Sequence, residues 1–307
     1  MKKLLAIVGP TGSGKSQLGL ILANRLDGEI ISADSRQIYR FLDIGTSKPS
    51  RSDQEKIPHH FIDSLDPREE YSAGAYGREA RGTIIEIAGR NKQPILVGGS
   101  GLYVKAVIDG FFDGPGKDVE LRNQLETRLK EGGSSALLAN LKKVDPESAA
   151  TMDASKPRRI IRALEVFYIT GKPLSEFHKE QSSAAPFETV EFGIQWERSR
   201  LYERIDQRVE AMLEQGLVDE VRRLKSDGYD RKLNALNSVG YKEVFDYFDG
   251  DIDYEEMIES MKRNTRRFAK RQLTWFRADK RIKWITIDDS TPLERVADRV
   301  AQAFLAG

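Results

Sequence analysis

A short apolar run, Leu4-Leu5-Ala6-Ile7-Val8, leads directly into Gly9-Pro10-Thr11-Gly12-Ser13-Gly14-Lys15-Ser16. The residues that follow, 17 to 26, carry apolar side chains at helical spacing. Strand, glycine-rich loop and helix, in that order, are the context a phosphate-binding P-loop requires. The glycines let successive backbone N–H groups turn inward around a phosphate, and the helix N-terminus adds a favourable dipole. Lys15 is placed to reach the outer phosphates and the Ser16 hydroxyl to ligate magnesium. The loop therefore predicts a bound diphosphate or triphosphate, and does not by itself say which.

At 307 residues the chain is long enough for about two domains. No stretch approaches the ~18 uninterrupted apolar residues of a membrane span, and strand and P-loop leave no room for a signal peptide. The sequence contains no cysteine and only three histidines, His59, His60 and His178. That excludes disulfides and thiolate zinc sites, makes a histidine-rich metal site unattractive and fits a cytoplasmic protein. Net charge is only +1, yet ten Lys and Arg fall between Lys262 and Lys283 against one acid, Asp279. With Trp275, Phe276 and Trp284 interleaved, this run predicts a polyanion-binding helix rather than a merely solvated face.

The element pattern predicts an α/β fold, a P-loop NTPase-like parallel sheet with helices on both faces. Strands are expected at 4–8, 29–33, 94–97, 192–196 and 282–287, with a weaker one at 60–63. Helices are expected at 71–89, 198–215, 254–278 and 292–305. From Val119 to about Lys179 only helical patterns occur, after the breaker Gly114-Pro115-Gly116 and before the connector Ser182-Ser183-Ala184-Ala185-Pro186. The expected organisation is a core at 1–114, a mainly helical insertion at 115–188, and core completion at 189–307 with a basic segment at about 254–280.

Ligands of an open parallel sheet sit beyond the carboxyl ends of its strands. Asp34 leaves the second strand as the P-loop leaves the first, so its carboxylate faces the loop's ligand and is a candidate general base. The competing reading is a turn or N-cap aspartate. Ser100, in the turn after Val97, faces the same cavity or is simply a small turn residue. The best buried strand ends in Gly98-Gly99-Ser100-Gly101 and not in the aspartate most P-loop ATPases use, which disfavours a motor or switch. Asp63 is a possible substitute. Arg204 and Arg208 lie four apart on one helix face; spacing alone reads them as solvated, and the alternative is closure over a leaving phosphate. Residues 157 to 162 admit either a solvated face or a phosphate contact.

Taken together, the chain resembles the bacterial tRNA dimethylallyltransferases (tRNA isopentenyltransferases) nearly from end to end. The matching pieces are GPTGSGKS at 9–16, ISADSRQIYRFLDIGTSKP at 31–49, PHHFID at 58–63, YSAGAYGREA at 71–80 and ILVGGSGLYVKA at 95–106. They continue with RRIIRALEVFYITGKPLSE at 158–176, RIDQRVEAMLEQGLVDEVRRL at 204–224, SVGYKE at 238–243 and RRFAKRQLTWFR at 266–277. The resemblance implies transfer of a dimethylallyl group from dimethylallyl diphosphate to the exocyclic amine of the adenine 3′-adjacent to the tRNA anticodon, position 37. The P-loop then cradles the allylic diphosphate with Mg2+, and no ATP need be hydrolysed.

The same resemblance implies roles for residues. Asp34 is the general base and, with Ser35, Arg36 and Gln37, contacts tRNA. Ser100 stands where the family usually has threonine, a tRNA contact that keeps the hydroxyl and loses the methyl. Arg122 is a further tRNA contact, as are Arg158, Arg159, Ile160, Ile161 and Arg162, and Ser238, Val239, Gly240, Tyr241, Lys242 and Glu243. Arg208 sits near the diphosphate. Arg266, Arg267 and Lys270 of the basic run are expected to track tRNA phosphates. Eukaryotic members add a zinc finger for which this sequence has no cysteine. The expected partners are the tRNA anticodon stem-loop and dimethylallyl diphosphate, with no membrane and no obligatory protein partner. A small-molecule P-loop kinase, or a prenyltransferase acting on free nucleotide, is the nearest alternative, but neither uses the basic helix. A non-enzymatic RNA-holding module would leave Asp34 and Ser100 without work.

Overall fold

The computed structural model describes residues 3–111, 114–116, 118–180 and 185–306. The chain divides into two compact units, Met1–Ile108 with Ala185–Gly307, and Asp109–Ala184. The second unit compares with the expected 115–188, and positions 182–184 of the expected connector lie outside the described residues.

The first unit opens with β1 (Leu4–Val8), α1 (Lys15–Arg25), β2 (Gly28–Ala33), α2 (Arg51–Lys56), β3 (His59–His60), α3 (Ala73–Gly89), β4 (Gln93–Gly98) and α4 (Gly101–Ile108). The second unit holds α5 (Val119–Val144), α6 (Pro146–Thr151), α7 (Pro157–Thr170) and α8 (Leu174–Glu180). The chain then returns to the first unit with β5 (Thr189–Gln195), α9 (Arg198–Glu214), α10 (Leu217–Ser226), α11 (Tyr241–Phe248), α12 (Tyr254–Arg277), β6 (Lys283–Thr286) and α13 (Leu293–Ala306).

All six strands run parallel in the order β3-β2-β4-β1-β5-β6. Because successive strand residues face opposite sides, Leu4, Ala6 and Val8 join Ile31, Leu96, Ile84 and Val107 on one face. Leu5 and Ile7 join Ile95, Val97, Leu22 and Val300 on the other. Burying each such side chain is worth about 1.5–3 kcal/mol, which is why β1 is fully buried and reads as an uninterrupted apolar run. Gly19 of α1 lies where a Cβ would press on Val97, so the helix sits close on the sheet and keeps the loop ahead of it fixed.

The weak strand expected at 60–63 is instead the two-residue β3, paired with β2 only at Ile30↔His59 and Ile31↔His60. The chain turns out of the sheet there, with Phe61 and Asp63 at φ 64° and 52°. Four short helices, α2, α4, α10 and α11, lack a counterpart among the expected elements. α4 is apolar on almost every side, which hides its helical period.

In the second unit α5 is broken at Gly133 (φ 71°), and its two segments pack with α7 around Leu125, Leu141, Ile160 and Leu164. Asp145 is buried and caps α6 through Ser148 N–H at 3.0 Å. Its second oxygen accepts from Ser175 N–H at 3.0 Å, tying α6 to α8.

Candidate active site

The P-loop leaves β1 and ends at Gly14, the αL residue before α1. Gly12 and Gly14 hold φ of 78° and 86°, a left-handed backbone that glycine adopts without strain. Three of the loop's carbonyls are held by side chains. Gly12 O accepts from Arg204 Nε at 3.1 Å, Ser13 O from Trp196 Nε1 at 3.0 Å, and Pro10 O from Lys15 Nζ at 3.2 Å. Arg204 also lies 4.2 Å above the Trp196 ring, so the two braces support one another. On the far side Thr11 N–H donates to Gln272 Oε1 at 2.8 Å. Among the described residues no hydrogen bond engages the N–H groups of Gly12, Gly14, Lys15 or Ser16. An array of unpaired N–H groups at a helix N-terminus is an anion nest.

Three charged side chains converge on this nest. Burial pushes the Lys15 ammonium down to about 8, while the Asp34 carboxylate pulls it up and Arg208 pushes it further down. Arg208, on α9, is likewise opposed by burial and supported by Asp34, and it makes no hydrogen bond among the described residues. Arg36 interacts with the same carboxylate, so the cations around Asp34 outnumber it and the site carries an excess of positive charge. That excess suits a polyanionic ligand.

Asp34 lies just beyond β2, as expected, and the turn reading is seen directly. Its Oδ1 accepts from Arg36 N–H at 2.9 Å and from Gln37 N–H at 3.4 Å, a turn that fixes the side chain. No hydrogen bond reaches Oδ2 among the described residues, which leaves that oxygen available to accept a proton. Ser100 N–H donates to Ala33 O at 3.1 Å, so the turn after β4 abuts the residue preceding Asp34. Tyr76 and Tyr103 are buried near Asp34, stacked at 4.0 Å between centroids, with Tyr76 Oη donating to Ser32 O at 2.9 Å. Burial, with Asp34 adding to it, raises both phenols above their usual range. They remain neutral near pH 7.

Several other expected site residues are engaged within the protein. Gln37 is buried; its amide donates to Thr46 O and Ser47 O and accepts from the Ser32 hydroxyl. Arg36 donates to Asn234 O, and Ser35 is half-buried. Glu243 caps α11 through Gly240 N–H at 2.7 Å and accepts from Asn264 at 2.8 Å. Tyr241 is fully buried, donating to Glu220 Oε1 at 2.6 Å, and Glu220 in turn accepts from Asp43, Ile44 and Gly45 N–H. Tyr241 thus supports the 43–45 turn through Glu220, while Gly240 and Glu243 are engaged at the start of α11; of that segment Lys242 is exposed and Ser238 and Val239 are half-buried. Ile160 and Ile161 are core residues of the second unit, whereas Arg158 and Arg159 are exposed. Arg122 and Arg162 both donate to Oε2 of the buried Glu165, at 3.1 and 2.8 Å. Asp63 lies beyond the end of β3, and its carboxylate pairs with Lys48.

The basic run is less unbalanced than its sequence implies. Arg266 pairs with Asp206, Lys262 with Glu210 and Arg263 with Glu256. Arg267, Lys270 and Arg271 are exposed without an ion pair among the described residues, and Phe268 and Trp275 are each 40% exposed beside them. Trp196, Arg204 as a loop brace, and Gln272 are the residues sequence reasoning missed.

No helix among the described residues is long and apolar enough to cross a membrane. Those residues also hold no cluster of three or more His, Cys, Asp or Glu able to bind a metal.

The family model described as IPP transferase matches residues 37–279. The tRNA dimethylallyltransferase of Pelotomaculum thermopropionicum is 45% identical over 302 residues, covering 97% of this chain and 95% of its own length. That of Geobacter sulfurreducens is 48% identical over 284 residues, covering 92% and 91%. Among solved structures, the full-length tRNA isopentenylpyrophosphate transferase of Bacillus halodurans is 41% identical with a TM-score of 0.73, covering 100% of this chain and 98% of that one. A eukaryotic dimethylallyltransferase captured acting on tRNA is 30% identical with a TM-score of 0.83, covering 100% and 80%.

Proposed function

This chain belongs to the IPP transferase family, and from that membership we propose that it prenylates tRNA. The dimethylallyl group passes from dimethylallyl diphosphate to the exocyclic amine of the adenine 3′-adjacent to the anticodon. The observation that carries the reading is the convergence of Lys15, Arg208 and Asp34 on one P-loop.

In the transfer the adenine nitrogen attacks the allylic C1 while the C1–O bond breaks, and the diphosphate departs with the bonding electrons. Negative charge grows on the leaving oxygen, where the loop N–H groups, Lys15 and Arg208 stabilise it. The nitrogen sheds a proton as it bonds, and Asp34 Oδ2 takes it. The adenine must leave its stack to reach this site, as in other base-modifying enzymes. Ser100, set beside Ala33, lies on the acceptor side.

Magnesium fits this site as a companion of the diphosphate. The exposed Ser16 hydroxyl at the first turn of α1 would supply one oxygen ligand beside those of the diphosphate. When bound, the ion would neutralise leaving-group charge. RNA phosphates would be met by Arg267, Lys270 and Arg271 in the first unit and by Arg158 and Arg159 in the second.

The test is incubation with an adenine-bearing tRNA, Mg2+ and dimethylallyl diphosphate, followed by digestion and mass analysis of the nucleosides. Isopentenyl-adenosine recovered from the tRNA supports the reading. Prenylation of free AMP or ATP with none on tRNA, or phosphoryl transfer from ATP to a small molecule, replaces it with one of the alternatives.

A further inference from the structure

Gln272 lies on α12 and is 8% exposed, so its polar amide is buried and must be satisfied. It is satisfied by two backbone groups from different loops. Oε1 accepts from Thr11 N–H in the P-loop at 2.8 Å, and Nε2 donates to Gly99 O in the turn after β4 at 2.8 Å. The partners fix the amide's orientation, since an N–H only donates and a carbonyl only accepts. Gly99 leaves no room for a Cβ because the Gln272 amide fills that space, and Gly101 is similarly crowded by the Trp275 ring. One helix thus closes on both loops.

The two loops serve different substrates under the function proposed above, on which this inference rests. Thr11 belongs to the loop that cradles the leaving diphosphate. Gly99 precedes Ser100, whose N–H is bonded to Ala33 O beside Asp34, on the side that receives the adenine. We propose that Gln272 is a positioning residue that sets the separation of the donor and acceptor loops. It holds the allylic carbon and the attacking nitrogen at reacting distance without touching either. Displacement of reactants by about 1 Å costs on the order of 10²-fold in rate while leaving binding nearly intact. The signature of this role is therefore a loss in the chemical step that is not mirrored in either affinity.

Gln272→Leu keeps the approximate volume and removes both hydrogen bonds. Gln272→Glu keeps the acceptor for Thr11 N–H but sets a carboxylate against Gly99 O, and regains a donor only when protonated. The experiment is single-turnover prenylation of an anticodon stem-loop RNA at saturating dimethylallyl diphosphate and Mg2+. It is accompanied by equilibrium binding of each substrate and by thermal melting. The expected result is a rate about 10–100-fold below wild type for Gln272→Leu, with each Kd within about threefold. The Gln272→Glu rate, relative to wild type, should rise as pH is lowered from about 8 to about 5.5. A Gln272→Leu rate within about threefold of wild type overturns the proposal, as does a rate loss fully explained by weakened binding. A Gln272→Glu profile parallel to wild type also overturns it, and decides the matter alone if Gln272→Leu fails to fold. Absence of product from the wild type instead refutes the transferase reading, and the role of Gln272 falls with it.

Discussion

Arg266 on α12 donates to both carboxylate oxygens of Asp206 on α9, at 2.7 Å each. The two helices also share the apolar contact of Leu201, Ile205 and Ala269, so this pair closes a seam rather than presenting charge to solvent. Acids 50–60 positions away in sequence neutralise part of the basic run: Lys262 meets Glu210 and Arg266 meets Asp206. Arg267, Lys270 and Arg271 stay exposed without an ion pair among the described residues, and these are the phosphate contacts proposed on this helix.

Replacing Arg266 by alanine should therefore cost about 1 kcal/mol or less of stability, the usual worth of a partly exposed pair. It should leave the salt dependence of tRNA affinity unchanged. Replacing Arg267, Lys270 and Arg271 together should weaken tRNA binding and flatten the log Kd–log[salt] slope by up to about one unit per lost phosphate contact. Affinity for dimethylallyl diphosphate should be unaffected. Binding titrations at four salt concentrations separate the two cases; an unchanged slope in the triple variant would return the stripe to plain solvated surface.

Lys15 makes diphosphate binding pH-dependent. In the free protein burial holds its ammonium at about 8, below its ordinary 10.5, and a bound diphosphate raises it. Binding then takes up a proton, so affinity should fall as pH rises through 8, approaching tenfold per pH unit. Calorimetry in buffers of different ionisation enthalpy should register that proton, and Lys15→Met should abolish it along with most of the affinity. A pH-independent affinity between about 7 and 9.5 would contradict the assignment. The same depression means that folding releases a proton from Lys15 between about 8 and 10.5. The penalty for burying its charge is thus fully present below 8 and fades above it, so Lys15→Met should raise Tm at pH 7.

The difference between what was legible in sequence and what was not follows from the range of the interactions. The P-loop, β1 and Asp34 could be read because each is specified by its neighbours: an apolar run, glycines at left-handed positions, a carboxylate just past a parallel strand. The braces of the loop could not. Trp196, Arg204 and Gln272 act across 183, 192 and 261 positions, and no local pattern marks a glutamine that will bridge two loops. Part of the basic run's neutralisation is hidden for the same reason, since Glu210 and Asp206 lie on another helix. β3 was over-extended because two paired residues leave no period to detect. Ile160, Ile161, Tyr241 and Glu243 were grouped with exposed neighbours in their motifs, though each motif alternates between core and solvent.

Glu165 anchors the second unit's arginines. It is fully buried, its Oε2 serves both Arg122 and Arg162, and its Oε1 has no hydrogen-bond partner. Glu165→Ala would strip both arginines of their counter-charge, and breaking a buried pair costs about 3–5 kcal/mol, less here because the arginines are partly solvated. Hydrogen exchange should accelerate in α5 and α7 while α1 and β1 keep their protection, and tRNA affinity should fall without change in diphosphate affinity. Unaltered protection in α5 and α7 would remove Glu165 from this role.

Asp34→Asn isolates proton transfer from geometry. Asn Oδ1 can accept the same Arg36 and Gln37 N–H groups, so the turn at the end of β2 should survive. The substitution removes only the negative charge, and with it the proton acceptor and the counter-charge to Lys15 and Arg208. The chemical step should fall by about 10²–10⁴, the usual worth of a positioned general base. tRNA affinity should stay within a few-fold. Diphosphate affinity should hold or improve, because a carboxylate facing the anion has gone while the two cations remain. That opposition, slower chemistry beside equal or tighter donor binding, is not what a damaged fold produces. Single-turnover prenylation and separate binding of each substrate measure it directly. A near wild-type rate would take Asp34 out of the proton transfer and leave it as the turn residue that its Oδ1 already shows it to be.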